Sequence, residues 1–237
     1  MGSTRLPGKI LMELSGKPIL AHVVDRLRYS KLINNVIIAT TDLTEDNQLE
    51  EFCLENKIDY FRGSSNNVLS RYYGTAKKYS SDLIIRITAD CPVIDPIIID
   101  EMLGMYIEST KTEKVDYLSN VHPRTFPRGL DTEIFTFSAL EKVFNDAGKK
   151  YEQEHVTPYF YQNPELFSIK NFSNQKDYSF HRWTVDTKED FDLMQEIYSE
   201  LYQPRRIFLF RDILDLFERK PEIFAINQDV KQKSLGE

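Results

Sequence analysis

The sequence predicts an α/β fold: a mostly parallel sheet with helices on both faces and an inserted α+β elaboration. Three observations point there. Apolar helical periodicities and short β-branched runs alternate through residue 108, the runs end in polar or acidic residues, and the rhythm breaks between residues 115 and 164. Parallel strands need crossovers long enough to hold a helix, so the alternation itself selects the parallel arrangement. In such sheets ligands sit beyond the carboxyl ends of the strands.

Taken in order, residues 17–32 carry Ile19, Leu20, Val23, Val24 and Leu27 at helical spacing, which buries one face and leaves Asp25, Arg26 and Arg28 outside. Residues 36–40 form a β-branched run ending at Thr41 and Asp42, the pattern of a buried parallel strand. Leu49, Phe52 and Cys53 then suggest a helix, Tyr60 and Phe61 a short strand, residues 68–79 a helix and residues 83–88 a strand. The elaboration mixes strands at 115–118 and 133–136, a basic Pro/Gly loop at 122–129, and helices near 138–147 and 152–162. Two further β-like runs follow at 167–172 and 178–185. A helix over 188–201 turns Phe191, Met194, Ile197, Tyr198 and Leu201 inward. Residues 1–227 are expected to form one domain, with 115–164 as an inserted lid or dimerisation subdomain and 228–237 as a polar tail.

Composition narrows the function. The chain has 237 residues, 41% of them hydrophobic and 28% charged, enough to bury a core. With 30 Lys plus Arg against 37 Asp plus Glu, the net charge of -7 disfavours non-specific binding to nucleic acid or an anionic membrane. Cys53 and Cys91 are too few and too far apart for a disulfide framework or a zinc ribbon, so buried free thiols and a cytoplasmic location are expected. No apolar run approaches the roughly 20 residues that cross a bilayer.

Four segments could carry chemistry. In the opening loop, Gly2 and Gly8 let backbone N–H groups converge on an anion while Arg5 and Lys9 supply cations. It is not a P-loop, because five residues separate the glycines and Ile10 stands where a Ser or Thr is needed; a surface turn with solvated cations is the alternative. Asp90 follows an apolar strand that Pro92 stops, and Asp186 precedes Thr187, which with Asp190 forms a capping-box pattern. Two carboxylates at strand ends facing a cationic Gly loop suit Mg²⁺ held against phosphate oxygens, although each alone reads more often as a turn or cap residue. Arg124, Arg128 and His155 either clamp an acceptor carboxylate or belong to an ordinary interface loop. His22 reads as structural.

These segments, GSTRLPGK at 2–9, FRGSSNNVLSRYY at 61–73, RITADCP at 86–92, RTFPRGLDTEIF at 124–135, EHVTPY at 154–159 and RWTVDTKEDF at 182–191, resemble the bacterial cytidylyltransferases of the spore-coat polysaccharide type, related to 3-deoxy-manno-octulosonate and acylneuraminate cytidylyltransferases. The resemblance implies a Rossmann-like domain that transfers CMP from CTP to a small acidic sugar, with Mg²⁺ as cofactor and a homodimer as the expected assembly. It implies nucleotide contacts from Gly2, Ser3, Arg5, Lys9, Arg71 and Thr88, metal ligation and catalysis by Asp90 and Asp186 with Arg5 and Lys9, and acceptor contacts from Arg124, Arg128, Glu133 and His155. Ala89 and Asn67 stand where the family often has Gly and Asp. The family loop normally follows a central strand, which this sequence lacks. The expectation is therefore a start codon placed too late or a chain that folds poorly alone, since each lost buried hydrogen bond costs about 1–3 kcal/mol. Two rival functions are a nucleotide-sugar glycosyltransferase and an inactive homologue serving as a binding subunit.

Overall fold

The computed structural model describes residues 5–232. It opens with a hairpin, β1 (Glu13–Leu14) and β2 (Lys17–Pro18), whose turn places Ser15 and Gly16 at positive φ. There follow α1 (Ile19–Leu27), β3 (Ile37–Thr41), α2 (Asn47–Glu55), β4 (Asp59–Gly63), α3 (Val68–Lys78), β5 (Leu83–Arg86) and α4 (Pro96–Ser109). The next stretch holds β6 (Tyr117–Ser119), β7 (Glu133–Thr136), α5 (Phe137–Asp146), α6 (Lys150–His155) and α7 (Pro158–Gln162). The last elements are β8 (Ile169–Asn171), α8 (Lys188–Leu201), α9 (Phe210–Arg219) and α10 (Pro221–Phe224).

β3 and β4 pair in parallel, from Ile37 opposite Asp59 to Thr41 opposite Gly63. The larger sheet runs β5-β7-β6-β8, with β7 antiparallel to both neighbours and β6 parallel to β8. Strand alternation sends Tyr117 and its partner Phe135 to one face, against Leu69, Leu140 and Phe160, while Leu118 and its partner Ile134 face the core built with α4, α8 and α9. Both faces of this sheet are buried, as the unbroken apolar runs require.

The two sheets do not join. Among the described residues nothing pairs with the second edge of β3 or of β5, and a slot of about 630 Å³ lies between them. Ile37, Ile38 and Ala39 line one wall and Leu83 to Ile87 the other; α1 covers the slot with Leu20, Val23 and Val24, and α3 with Val68, Tyr72 and Ala76. Among the described residues no strand fills this gap. Its walls are apolar and its edges carry unpaired backbone groups, the situation a buried strand normally relieves.

Three sequence expectations change. The first helix ends at Leu27, and Arg26, expected outside, is buried: its Nε and Nη2 each donate at 2.6 Å, to the carbonyls of Ile94 and Phe208, and the guanidinium lies 4.7 Å over the Phe208 ring. The run 178–185 forms a single bridge between Arg128 and Arg182 rather than a strand, because its backbone bonds go to the loops around Thr125, Arg128 and Asp90. The helix expected over 152–162 is two short ones, since Pro158 starts α7 and Val156 sits at φ 72 between them. Other elements fall where expected: Thr187 caps α8 through a capping box, His22 is held by the Leu14 carbonyl at 2.6 Å, and both cysteines are buried and free.

The slot sets an expectation for hydrogen exchange. Amides of β3 not bonded to β4, and of β5 not bonded to β7, should exchange at least tenfold faster than those of β6 and β7, measured by mass spectrometry on peptides from each strand. Equal protection would mean that the slot is closed in solution.

Candidate active site

One backbone hydrogen bond sets the two carboxylates side by side. The Val185 amide donates to the Asp90 carbonyl at 2.9 Å, and Thr184 Oγ1 donates to the same oxygen at 3.3 Å. From the other flank the loop at 128–129 packs onto residues 183–184, with the Trp183 amide donating to the Arg128 carbonyl at 2.6 Å. Gly129 makes this approach possible: at φ 109, a Cβ there would lie 2.5 Å from the carbonyl carbon and oxygen of Trp183. Any side chain would push away the segment 183–185 that leads into Asp186.

The opening loop supplies the cations. Gly8, left-handed at φ 69, turns the chain into the 3-10 turn Lys9–Leu11. Lys9 Nζ then donates to Asp90 Oδ2 at 2.5 Å and to Asp186 Oδ1 at 2.7 Å. The other oxygen of Asp186 meets Arg5 at 3.0 Å and Arg182 Nη2 at 2.7 Å. Burial pushes the Asp186 carboxyl up, but Lys9, Arg182 and Arg5 outweigh it and hold the group below the ordinary carboxylate range. Burial likewise pulls Lys9 down, and Asp90 with Asp186 more than compensates, raising it above the ordinary lysine value.

Beneath this pair, Arg182 forks Asp190 through Nε at 2.9 Å and Nη2 at 3.1 Å. Asp190 is fully buried and also accepts from the amides of Asp186 and Thr187 and from Asn227 Nδ2. The site thus rests on the capped start of α8. Among the described residues no group of three or more His, Cys, Asp or Glu side chains could enclose a metal ion. Two hard carboxylates nonetheless fit Mg²⁺, which keeps waters and substrate phosphates as its remaining ligands. The ammonium of Lys9, gripped by one oxygen of each, marks where positive charge belongs.

The other expected residues are distributed unevenly around this centre. Thr88 Oγ1 lies 3.1 Å from Cys91 Sγ, next to Asp90. Arg71 bonds the Ser64 carbonyl at 2.5 Å, and its Nε is buried without a partner. Arg124 is taken up by a forked pair with Asp131, and Glu133 by Arg86 and Tyr117 at 2.5 Å each. Arg128 differs: among the described residues its half-buried guanidinium has no hydrogen-bond or ion-pair partner, and burial together with nearby Arg124 lowers its pKa. An arriving anion would relieve that strain. His155 lies at the end of α6 and, among the described residues, its side chain makes no hydrogen bond or ion pair and is not joined to Arg124 or Arg128. Gly2 and Ser3 lie outside the described residues.

The sequence model of the family described as cytidylyltransferase matches residues 1–230. This chain belongs to the cytidylyltransferase family. The cytidylyltransferase is 31% identical over 229 residues to the spore coat polysaccharide biosynthesis protein SpsF of Bacillus subtilis, covering 94% of this chain and 92% of that one. It is 38% identical over 239 residues to an uncharacterised protein of Methanocaldococcus jannaschii, covering 100% and 94% of the two chains. A cytidylyltransferase structure from Leptospira borgpetersenii superposes with a TM-score of 0.89 at 37% identity, over 99% of this chain and 95% of that one. The CMP:2-keto-3-deoxy-manno-octonic acid synthetase complexed with CTP superposes with a TM-score of 0.65 at 16% identity, over 84% and 95%, a likeness of fold alone. The chain is a nucleotidyltransferase enzyme of the CTP-using kind, with a mixed α/β fold of the Rossmann-like class.

Sequence reasoning missed the supports of this cytidylyltransferase site: Arg182, Asp190, Asn227 and Gln232, whose Oε1 accepts from Arg182 Nη1 at 2.5 Å. The capping-box pattern was the one available clue to Asp190.

His181, packed behind this network among Tyr178, Trp183, Phe217 and Phe224, predicts an acid sensitivity. Burial pushes it from 6.5 down to about 4. Between those values the unfolded chain takes up a proton that the folded chain refuses, so stability falls as pH drops through the window, by about 3 kcal/mol in all. The His181→Phe variant should flatten the fall in Tm between pH 6.5 and 4 seen with the wild-type chain. The depressed Asp186 pKa adds a second loss, which sets in only below the ordinary carboxylate range.

Proposed function

We propose that this enzyme transfers CMP from CTP to a sugar acid and releases pyrophosphate, in the synthesis of a surface polysaccharide or glycan. The observation that supports it most directly is the convergence of Arg5 and Lys9 on Asp90 and Asp186. A cationic loop facing two carboxylates has a use when a triphosphate is cleaved between its α and β phosphorus atoms, and little use when a nucleotide-sugar is merely consumed.

In this reading the acceptor hydroxyl attacks the α-phosphorus in line and pyrophosphate leaves, with no covalent enzyme intermediate. Asp90 and Asp186 would hold Mg²⁺, which when bound neutralises phosphate charge. Arg5 and Lys9 offset charge on the departing pyrophosphate, and Arg182 keeps Asp186 oriented. Arg71, whose loop 64–67 wraps its guanidinium, stands at the nucleotide and Thr88 beside Asp90. Arg128 receives the acceptor carboxylate, since it is the acceptor-site arginine that no acidic side chain already holds; Arg124 and Glu133 shape the pocket through their own partners. No side chain is an evident general base, and positioning with charge stabilisation supplies the acceleration. The reading carries with it a cytoplasmic homodimer.

The unpaired strand edges favour a second reading, a non-catalytic homologue that binds nucleotide weakly. Pyrophosphate release separates the two. With CTP, Mg²⁺ and a panel of sugar acids including 3-deoxy-manno-octulosonate and N-acetylneuraminate, the wild-type chain should release pyrophosphate and the Asp90→Asn variant should lose about a hundredfold or more of that rate, with Tm within a few degrees. Absence of release across the panel would favour the second reading. The Arg128→Ala variant should raise KM for the acid acceptor by about ten- to a hundredfold, the worth of a hydrogen bond to a charged group, and leave KM for CTP unchanged. An equal rise for both substrates would remove Arg128 from the acceptor site.

A further inference from the structure

Lys9 makes contacts that a phosphate-binding lysine need not make. Its ammonium contacts one oxygen of Asp90 at 2.5 Å and one of Asp186 at 2.7 Å, with only 12% of the side chain exposed. Arg5 and Arg182 occupy the outer oxygen of Asp186, so the inner oxygen is directed at Lys9. Two carboxylates therefore share a single positive charge between their inner oxygens. That is less than they would attract from a divalent ion, since charge–charge energy scales with the product of the charges. The cation is also movable, an ammonium on a four-carbon stem anchored in a short turn next to Gly8.

We infer that Lys9 is a tethered stand-in for the divalent cation. It keeps the inner oxygens of Asp90 and Asp186 turned toward one another in the free enzyme and yields the position when the metal enters. This rests on the reading that Asp90 and Asp186 are the metal ligands. Without nucleotide, a metal ion must displace a cation that cannot diffuse away, which lowers its apparent affinity by the fraction of time the site is open. A triphosphate changes the balance, because its oxygens give the displaced ammonium a new partner. Metal and nucleotide thus favour each other's entry through the movement of one side chain, and Lys9 is a positioning residue before it is a phosphate ligand.

The test is Mn²⁺ binding to the nucleotide-free protein, read from the electron paramagnetic resonance signal of free Mn²⁺, for the wild type, Lys9→Met, Asp90→Asn and the Lys9→Met/Asp90→Asn double variant. Lys9→Met should bind Mn²⁺ at least tenfold more tightly than the wild type, and adding Asp90→Asn should abolish the gain. If Lys9→Met binds no more tightly than the wild type while Asp90→Asn weakens both, the stand-in role is overturned and the metal site survives. If Asp90→Asn changes nothing, or no form binds Mn²⁺, the metal reading falls and the inference with it. A second measurement needs no variant: reductive methylation of Lys9, followed by mass spectrometry, should accelerate severalfold as MgCl₂ is raised against NaCl of equal ionic strength. An unchanged rate at saturating Mg²⁺ would equally overturn the displacement.

Discussion

The buried pairing of Arg182 with Asp190 is the interaction on which the rest of the site depends. Asp190 is at once the N3 partner of the α8 cap, the acceptor for the amides that shape the 186–187 turn, and the counter-charge of the arginine that holds Asp186. Asn227 reaches the same carboxylate and the Arg182 carbonyl, which ties the chain after α10 to the segment that carries Asp186. Removing one partner of such a buried pair strands the other charge, at about 3–5 kcal/mol. Helix capping, strand-end geometry and carboxylate orientation are therefore one cooperative unit.

The core is divided in keeping with the two sheets. Leu20, Val24, Leu49, Cys53 and Ile58 pack around β3 and β4, while the larger clusters clothe the two faces of β5-β7-β6-β8. What bridges the halves is helical: α1 and α3 both line the slot. Asp95 adds stiffness on the far side, capping α4 with one oxygen and accepting the Phe210 amide at the start of α9 with the other, at 2.7 Å.

Much of this was legible from local chemistry. The Thr187–Asp190 capping box is a short-range pattern, and it gave the start of α8 without tertiary information. The 3.6-residue periodicity found α1, α3 and α8 for the same reason. Long cationic side chains were not legible, because their partners lie far along the chain. Arg26 reads as a solvated position on its own helix and is drawn inside by carbonyls at Ile94 and Phe208. Arg124 and Arg128 look alike in sequence, yet only Arg124 has Asp131 placed to fork it. The run 178–185 has strand composition but spends its backbone groups on loops, a choice that no single-strand pattern reveals.

Gly129 brings a consequence at the level of the genetic code. A glycine codon changed by one base gives either glycine again, a residue with a Cβ or a stop, and a Cβ here meets the Trp183 carbonyl at 2.5 Å on a backbone with φ 109. Every single-base missense neighbour of that codon is therefore strained, whatever the chemistry of the new side chain. Position 129 therefore offers no missense first step that leaves the junction of residues 128–129 with 183–184 unstrained.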